Sequence, residues 1–362
     1  MSDVPALRFP EFKGEWEKCK LSKVCSFFSG GTPPSSNKEY YNGNIPFIRS
    51  GELHNDETEL FITKEGLDNS AAKTVEVGDL LLALYGATSG DIAISKIKGA
   101  INQAILCIRT KQNKKFVESV WNKHVARLLQ TYLQGGQGNL SADIVKNIPF
   151  YFTNVEEQNK LARFISLLDQ RIAAQNKIIE KLQSLIKGIT ILLTTKGEPN
   201  TTIAQCLECH SSTLQESEVS HSGLYKVFGA NGLVGYTDMP QMNGDAILII
   251  KDGSGVGTTS YAQGEFSVIG TLNFLTAISN YDLRYLYFVL SVFNFQSYKT
   301  GMAIPHIYFK DYGNAKIYCP LLSEQKRIAN VLGKLESKLC FEQNILASFN
   351  LQKRYLLGQM FI

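Results

Sequence analysis

The residues with the most obvious chemical potential lie in the second half of the chain. Cys206-Leu-Glu-Cys209-His210 has the letters of a c-type haem attachment site. That chemistry requires export, and residues 1–6 show no basic region followed by an apolar one. With His221 added, the same side chains make a candidate zinc set, but no second Cys-x-x-Cys completes it. Two ordinary thiols is the better reading. Gly253-Ser-Gly-Val-Gly-Thr-Thr259 resembles a phosphate-cradling loop, yet it lacks the P-loop lysine and its glycines miss the dinucleotide spacing. It reads as a loop after a strand. Glu11-Phe-Lys13 and Glu336-Ser-Lys338 carry the Glu-x-Lys half of a nuclease site without a strand bearing the partner acid. Gly-x-Ser-x-Gly and His-Glu-x-x-His are both absent from the sequence. No set of residues able to carry a reaction emerges, so the expectation is a non-enzyme with no catalytic residues, metal or cofactor.

Binding chemistry is better represented. Loops between the presumptive strands combine small residues with amide and cationic ones: Thr32, Asn37, Lys38, Arg49 and Ser50, then Gln134, Gln137 and Asn139. The second half contributes Lys299, His306, Tyr308 and Lys310. Asn, Gln and Arg can make paired hydrogen bonds to base edges, whereas Lys and Ser hold phosphates. Lys111, Lys114, Lys115, Lys123 and Arg127 add a possible phosphate-facing patch. Taken singly, each residue is more simply a solvated surface group; the signal is their clustering in both halves.

What must position these loops is a stretch that occurs twice. Leu161, Ile165, Leu168, Ile172, Gln175, Ile179, Leu182, Ile186, Ile189 and Leu193 recur at steps of four and three, which keeps one stripe on one side of a helix and suits a two-helix seam. The stripe returns 167 positions later (328 against 161) as Ile328, Leu332, Leu335, Leu339, Glu342, Leu346, Phe349, Lys353, Leu356 and Met360. Glu157-Gln158 opens the first copy and Glu324-Gln325 the second, and the polar interruption falls at Gln175 in one and Glu342 in the other. Each helix therefore has an evident partner in the other. If they pair antiparallel, facing residues have numbers summing to about 521, with Asp169–Arg354 and Lys187–Glu336 as symmetric charge pairs.

At 362 residues the chain is long enough for two or more domains with real cores. A net charge of +4 permits a polyanionic partner without demanding one. No run of about 18 apolar residues is present, which disfavours a membrane span, and seven scattered cysteines suit a reducing cytoplasm. In the first half, strands are expected at 45–49, 80–85, 92–97 and 104–109, and a helix at 116–133. The second half repeats the plan, with Gly244-Asp245 before a strand at 246–250 as Gly78-Asp79 precedes 80–85, and a helix at 281–295. Framework positions match while loops differ, as expected of a duplication whose two globular parts have diverged.

With Leu7-Arg-Phe-Pro-Glu-Phe-Lys-Gly-Glu-Trp16, Gly30-Gly-Thr-Pro33, Tyr40-Tyr-Asn-Gly-Asn-Ile-Pro-Phe-Ile48, Asn102-Gln103, Asn139-Leu-Ser-Ala142 and the two Glu-Gln helices, the whole chain resembles the DNA-specificity subunit of type I restriction-modification systems. The second half lacks the Gly-Gly-Thr-Pro signature and a fuller proline-rich lead-in before its long helix. The resemblance implies an α+β architecture: two globular mixed α/β target-recognition domains separated by two long antiparallel coiled-coil helices, with pseudo-two-fold internal duplication. The expected boundaries are 1–155 for the first recognition domain, 156–196 for the central helix, 197–322 for the second recognition domain and 323–362 for the C-terminal helix. It also implies a bipartite asymmetric site on double-stranded DNA, two copies of an adenine-N6 methyltransferase subunit, a restriction subunit, and a cytoplasmic location. The competing expectation is a scaffold with two protein-binding modules on a coiled-coil strut and no DNA.

Overall fold

The computed structural model describes residues 4–132 and 140–362. The chain divides into two compact units, Met1–Gln175 with Ile345–Ile362, and Asn176–Asn344. Each unit therefore holds one globular part and a piece of each long helix.

In chain order the first globular part contains β1 (Glu17–Lys20), β2 (Cys25–Ser29), β3 (Tyr41–Ile48), β4 (Phe61–Ile62), β5 (Lys73–Val75), β6 (Leu80–Ala83), β7 (Ile92–Ile94), β8 (Gly99–Ile101), β9 (Ile105–Thr110) and β10 (Pro149–Phe152). One sheet runs β2-β9-β6-β7, a second β4-β3-β8-β5, and β1 pairs with β10. The β3–β8 pairing is parallel, and the other pairings are antiparallel. Leu80 to Ala83 are all buried. Such a continuous apolar run needs cover on both faces, and the cover comes from the second sheet on one side and a helix, Lys114–Tyr132, on the other. Phe116, Val117, Val120 and Trp121 of that helix join Leu80 and Leu82 in one core cluster, while Leu81 and Ala83 join another.

The second globular part has β11 (Thr201–Thr202), β12 (Leu207–Ser211), β13 (Tyr225–Gly229), β14 (Gly232–Thr237), β15 (Met242–Asn243), β16 (Ala246–Ile250), β17 (Thr259–Ala262), β18 (Glu265–Val268), β19 (Leu272–Ala277) and β20 (Lys316–Ile317). Its sheets run β12-β19-β16-β17 and β14-β13-β18-β15, and β11 pairs with β20. Adding ten to each strand number of the first part reproduces this order, including the parallel pair, β13 with β18. Leu283–Val292 takes the place of the first domain helix.

The long helices run Val155–Thr194 and Leu322–Met360. Within the first unit, Leu161 and Ile165 share a cluster with Met360 and Phe361. Asp169 meets Lys353 at 2.6 Å, and the Arg171 guanidinium lies 4.8 Å from the Phe349 ring centre. Numbers rise on one helix as they fall on the other, so the segments are antiparallel. The same holds in the second unit, where Ile189 and Leu193 pack with Ile328, Ala329 and Leu332. No member of either apolar stripe is exposed. Leu161, Ile165, Gln175, Ile179, Ile328, Leu332, Glu342 and Met360 are buried; Leu168, Ile172, Leu182, Ile186, Ile189, Leu193, Leu335, Leu339, Leu346, Phe349, Lys353 and Leu356 are half-buried.

The expected charge pairs are different in the structure. Asp169 is held by Lys353 and by Lys115 of the domain helix, at 2.7 Å, rather than by Arg354. Glu336, 167 positions later, pairs with Arg284 and accepts from Tyr287 Oη at 2.9 Å rather than meeting Lys187. In both units the domain helix crosses the long helix and brings a cation closer than the expected partner, so the two acids are equivalent pins.

Candidate nucleic-acid interface

Each globular part is fixed to its long helix by a buried glutamine. Gln158 is fully buried. Its Nε2 donates to Gln112 Oε1 at 2.7 Å and to the Thr153 carbonyl at 2.6 Å, and its Oε1 accepts from the Asn113 amide at 3.1 Å. Gln325 does the same work: Nε2 donates to the Pro320 carbonyl at 2.8 Å and Oε1 accepts from the Asp282 amide at 2.9 Å. Asn113 and Asp282 in turn cap their domain helices through the amides of Phe116 and Tyr285. The preceding Glu157 is clamped by Arg8 through two contacts of 2.7 and 2.8 Å, whereas Glu324 pairs with Lys196.

At one end of each sheet sits a loop that closes on itself. After β6, Gly86 and Gly90 take positive φ, and the amides of Ser89, Gly90 and Asp91 bond to the carbonyls of Gly86, Ala83 and Thr88. After β16, Gly253 and Gly257 repeat this, with Val256, Gly257 and Thr258 bonded to Gly253, Ile250 and Gly255. Gly90 must also stay small, because a Cβ there would lie 2.8 Å from Val125. The glycines resembling a phosphate cradle thus form a framework turn whose amides largely face inward. It recurs at the same 167-residue offset in both halves, a signal present in the sequence.

Around the first turn the structure gathers several of the expected contact residues. β3 and β8 are parallel, so Arg49, Ser50, Asn102 and Gln103 leave the sheet at the same end. Thr32 bonds to Gln103, and His54 Nε2 lies 2.9 Å from Asp91, whose carboxylate raises the histidine pKa. Asn37 and Lys38 precede β3 and so lie toward its other end; Asn37 caps a short turn through the Glu39 amide. Arg49 is held by Glu52 at 2.8 Å and Glu59 at 3.1 Å. Burial pushes the Glu52 carboxyl up, but Arg49, two backbone amides and Thr58 outweigh it and leave it lowered to about 2. Gln134, Gln137 and Asn139 lie outside the described residues.

In the second unit the expected residues come together. Thr300 and His306 exchange both backbone hydrogen bonds at 2.9 Å, closing a narrow hairpin, and the Gly253 amide bonds to the Pro305 carbonyl at 2.9 Å. The His306 and Tyr308 rings are 5.0 Å apart, and Lys310 Nζ lies 5.3 Å from the Tyr308 ring centre. Tyr308 and Lys310 line a recess of about 430 Å³ with Lys251 and Asp252. Lys299 lines a neighbouring polar recess of about 440 Å³ with Ser254, Thr258, Thr259, Asn294 and Gln296.

Of the expected patch, Lys111 and Arg127 are exposed, whereas Lys114, Lys115 and Lys123 are engaged by their own chain. Lys114 donates to the Gly78 carbonyl, Lys115 is held by Glu118 and Asp169, and Lys123 donates to the carbonyls of Gly358 and Phe361. These lysines attach the helix to its surroundings. Cys206 lies 3.9 Å from Cys319, sulfur to sulfur, and His210 stacks on Phe274 while bonding to Thr276. Both are packing contacts. Among the described residues, no group of three or more His, Cys, Asp or Glu gathers as a metal site.

The sequence matches the family described as the type I restriction modification DNA specificity domain twice, over residues 13–184 and 205–350. The chain belongs to that family. It is 25% identical over 203 residues to the type I restriction enzyme MjaVIII specificity subunit of Methanocaldococcus jannaschii, covering 54% of this chain and 45% of that one. To the EcoprrI specificity subunit of Escherichia coli it is 20% identical over 357 residues, covering 89% and 88%. The chain spans about half the length of the first of these curated relatives. The crystal structure of the type I restriction-modification S subunit from M. genitalium superposes with a TM-score of 0.66 at 17% identity, covering 99% of each chain. The architecture of two repeated α/β domains with paired long helices is therefore that of the S subunits. Among the described residues, no helix is long and apolar enough to cross a membrane.

Proposed function

We propose that the protein is the DNA-specificity subunit of a type I restriction-modification complex. It binds double-stranded DNA at a bipartite, asymmetric site, each globular part reading one half. The observation that carries this reading is the twofold family match coupled to one duplicated framework bearing two unlike sets of loops. Unlike readers on equivalent frames give a site without a palindrome, and the paired long helices set the spacer between its halves. Methylation of adenine N6 and cleavage belong to partner subunits, two copies of a methyltransferase and a restriction subunit, so the chain itself is not an enzyme. Exposed apolar residues on the long helices, among them Leu167, Ile178, Leu185 and Leu192 on the first and Val331, Phe341 and Leu351 on the second, suit partners of that kind. The cytoplasm is the compartment in which such a complex meets DNA.

The test is single-molecule methylome sequencing of cells with and without the gene. A gapped, asymmetric adenine-methylation motif should vanish with it and return on complementation. In vitro, the pure chain should neither methylate nor cut. Its specific DNA binding should strengthen when the methyltransferase subunit is added, and should weaken steeply with salt. Methyl transfer by the pure chain would refute the assignment.

A further inference from the structure

The hairpin closed by Thr300 and His306 carries five residues at its tip, two of them large and apolar. Met302 is fully exposed and Ile304 is 65% exposed. Neither adds to the core of its own unit, and neither figures among the amide and cationic side chains that read base edges by hydrogen bonding. The tip is held in place from below, by the Gly253–Pro305 bond and by the single bridge between Asp252 and His306. Around it stand Lys299, His306, Lys310 and Lys251, two of these lysines lining one recess and Lys299 the next. Protruding apolar side chains near three lysines, with Asp252 the acid among them, form a surface that gains by being covered with something both apolar and anionic.

Resting on the DNA-reading assignment above, we propose that this hairpin enters the major groove and that Met302 and Ile304 read thymine through its C5 methyl group. The major groove, about 12 Å wide, is open to a projecting loop closed by a single bridge, and the thymine methyl is the apolar mark there that distinguishes an A·T pair from the rest. Lys299 and Lys310 take the phosphates on either side, and the hydroxyls of Ser254 and Thr259 in the Lys299 recess offer further donors to the backbone. The second unit thus reads its half-site by apolar contact as well as hydrogen bonds.

The experiment uses the full chain assembled with its methyltransferase subunit. The probe is a duplex bearing the motif found by methylome sequencing, made with thymine or with deoxyuridine in one half-site at a time. For the wild type, deoxyuridine in the half read by the second unit should weaken binding about fourfold per contacted methyl, the transfer value of one such group. The double variant M302S/I304S should lose about tenfold or more in affinity for the motif, as expected when two apolar side chains lose their cover. It should also be indifferent to deoxyuridine. Its binding to a duplex without the motif, the salt dependence of that binding and its unfolding temperature should match the wild type, since both side chains are exposed. Unchanged preference for the motif would overturn the proposal and leave DNA reading intact. So would a deoxyuridine penalty as large in the variant as in the wild type. If the wild-type complex does not prefer the motif at all, the DNA-reading assignment itself fails.

Discussion

Removing the buried glutamine tethers should loosen each globular part from its helix by a predictable amount. Gln158→Ala deletes three hydrogen bonds and leaves the Asn113 amide and the Thr153 carbonyl facing a cavity. At about 1 kcal/mol per lost bond, with more where a buried group stays unsatisfied, the cost is about 3 kcal/mol. Gln325→Ala deletes two bonds, to Asp282 and Pro320, and should cost about 2 kcal/mol. Gln158→Glu is the sharper probe. A carboxylate can still accept from Asn113, but it directs its second oxygen at two acceptors, so near neutral pH it should be at least as damaging as alanine. Such a carboxyl has its pKa raised in the folded state. Its penalty should therefore grow as pH rises above the ordinary carboxylate range and shrink as pH falls toward it, where the protonated form regains a donor. The assay is urea unfolding followed by a probe in each unit. Both alanine variants remaining within about 1 kcal/mol of wild type would refute the tether argument.

Other expectations follow from the same geometry. Glu52 and Asp79 both titrate lower when folded: burial raises them, while Arg49 for the first and Arg109 for the second, with backbone amides, more than offset it. The stability they supply is present above the unfolded carboxylate pKa of about 4 and is lost as pH falls through the folded value, so acid unfolding of the first unit should begin between about pH 4.5 and 2. Glu52→Gln should lower stability at neutral pH and flatten that acid limb, as read by circular dichroism against pH. Leu332→Ala, at a site with no exposure, should cost the second unit about 3 kcal/mol and lower one calorimetric transition while leaving the first unit's in place. On the proposed function, adding one heptad to each long helix, about 10 Å of length, should add about three base pairs of spacer to the methylated motif, at about 3.4 Å each, with both half-sites unchanged.

The long-range architecture was legible because its signals are periodic and occur twice. A stripe at steps of four and three leaves few faces for a helix to bury, and every stripe residue is buried or half-buried. Leu80 to Ala83 and Ala246 to Ile250 read as buried strands for the same reason, as uninterrupted apolar runs. Contacts closing over long sequence distances left no local trace. Nothing in Glu17–Lys20 indicates pairing with Pro149–Phe152, and a glutamine after a glutamate reads as a surface residue until Asn113 or Asp282 is found beside it. The cations were the hardest to place. A lysine or arginine in a sequence looks like a hand held out to a polyanion, whereas Arg49 is clasped by two glutamates and Lys115 and Lys123 of the domain helix bind their own chain. Those affinities are settled by geometry that composition does not carry. The second-unit cluster of His306, Tyr308 and Lys310 was legible because its members are neighbours in sequence.

The antiparallel clasps β1–β10 and β11–β20 bring the two ends of each globular part side by side. Everything between the strands of a clasp is a cassette joined to the rest of the chain through adjacent ends. On the proposed function, genetic exchange inside that cassette would change what is read and leave the two long helices untouched. On that reading, a lineage bearing this protein could acquire a new address by recombination in a single event, without having to re-evolve the machinery that acts on it.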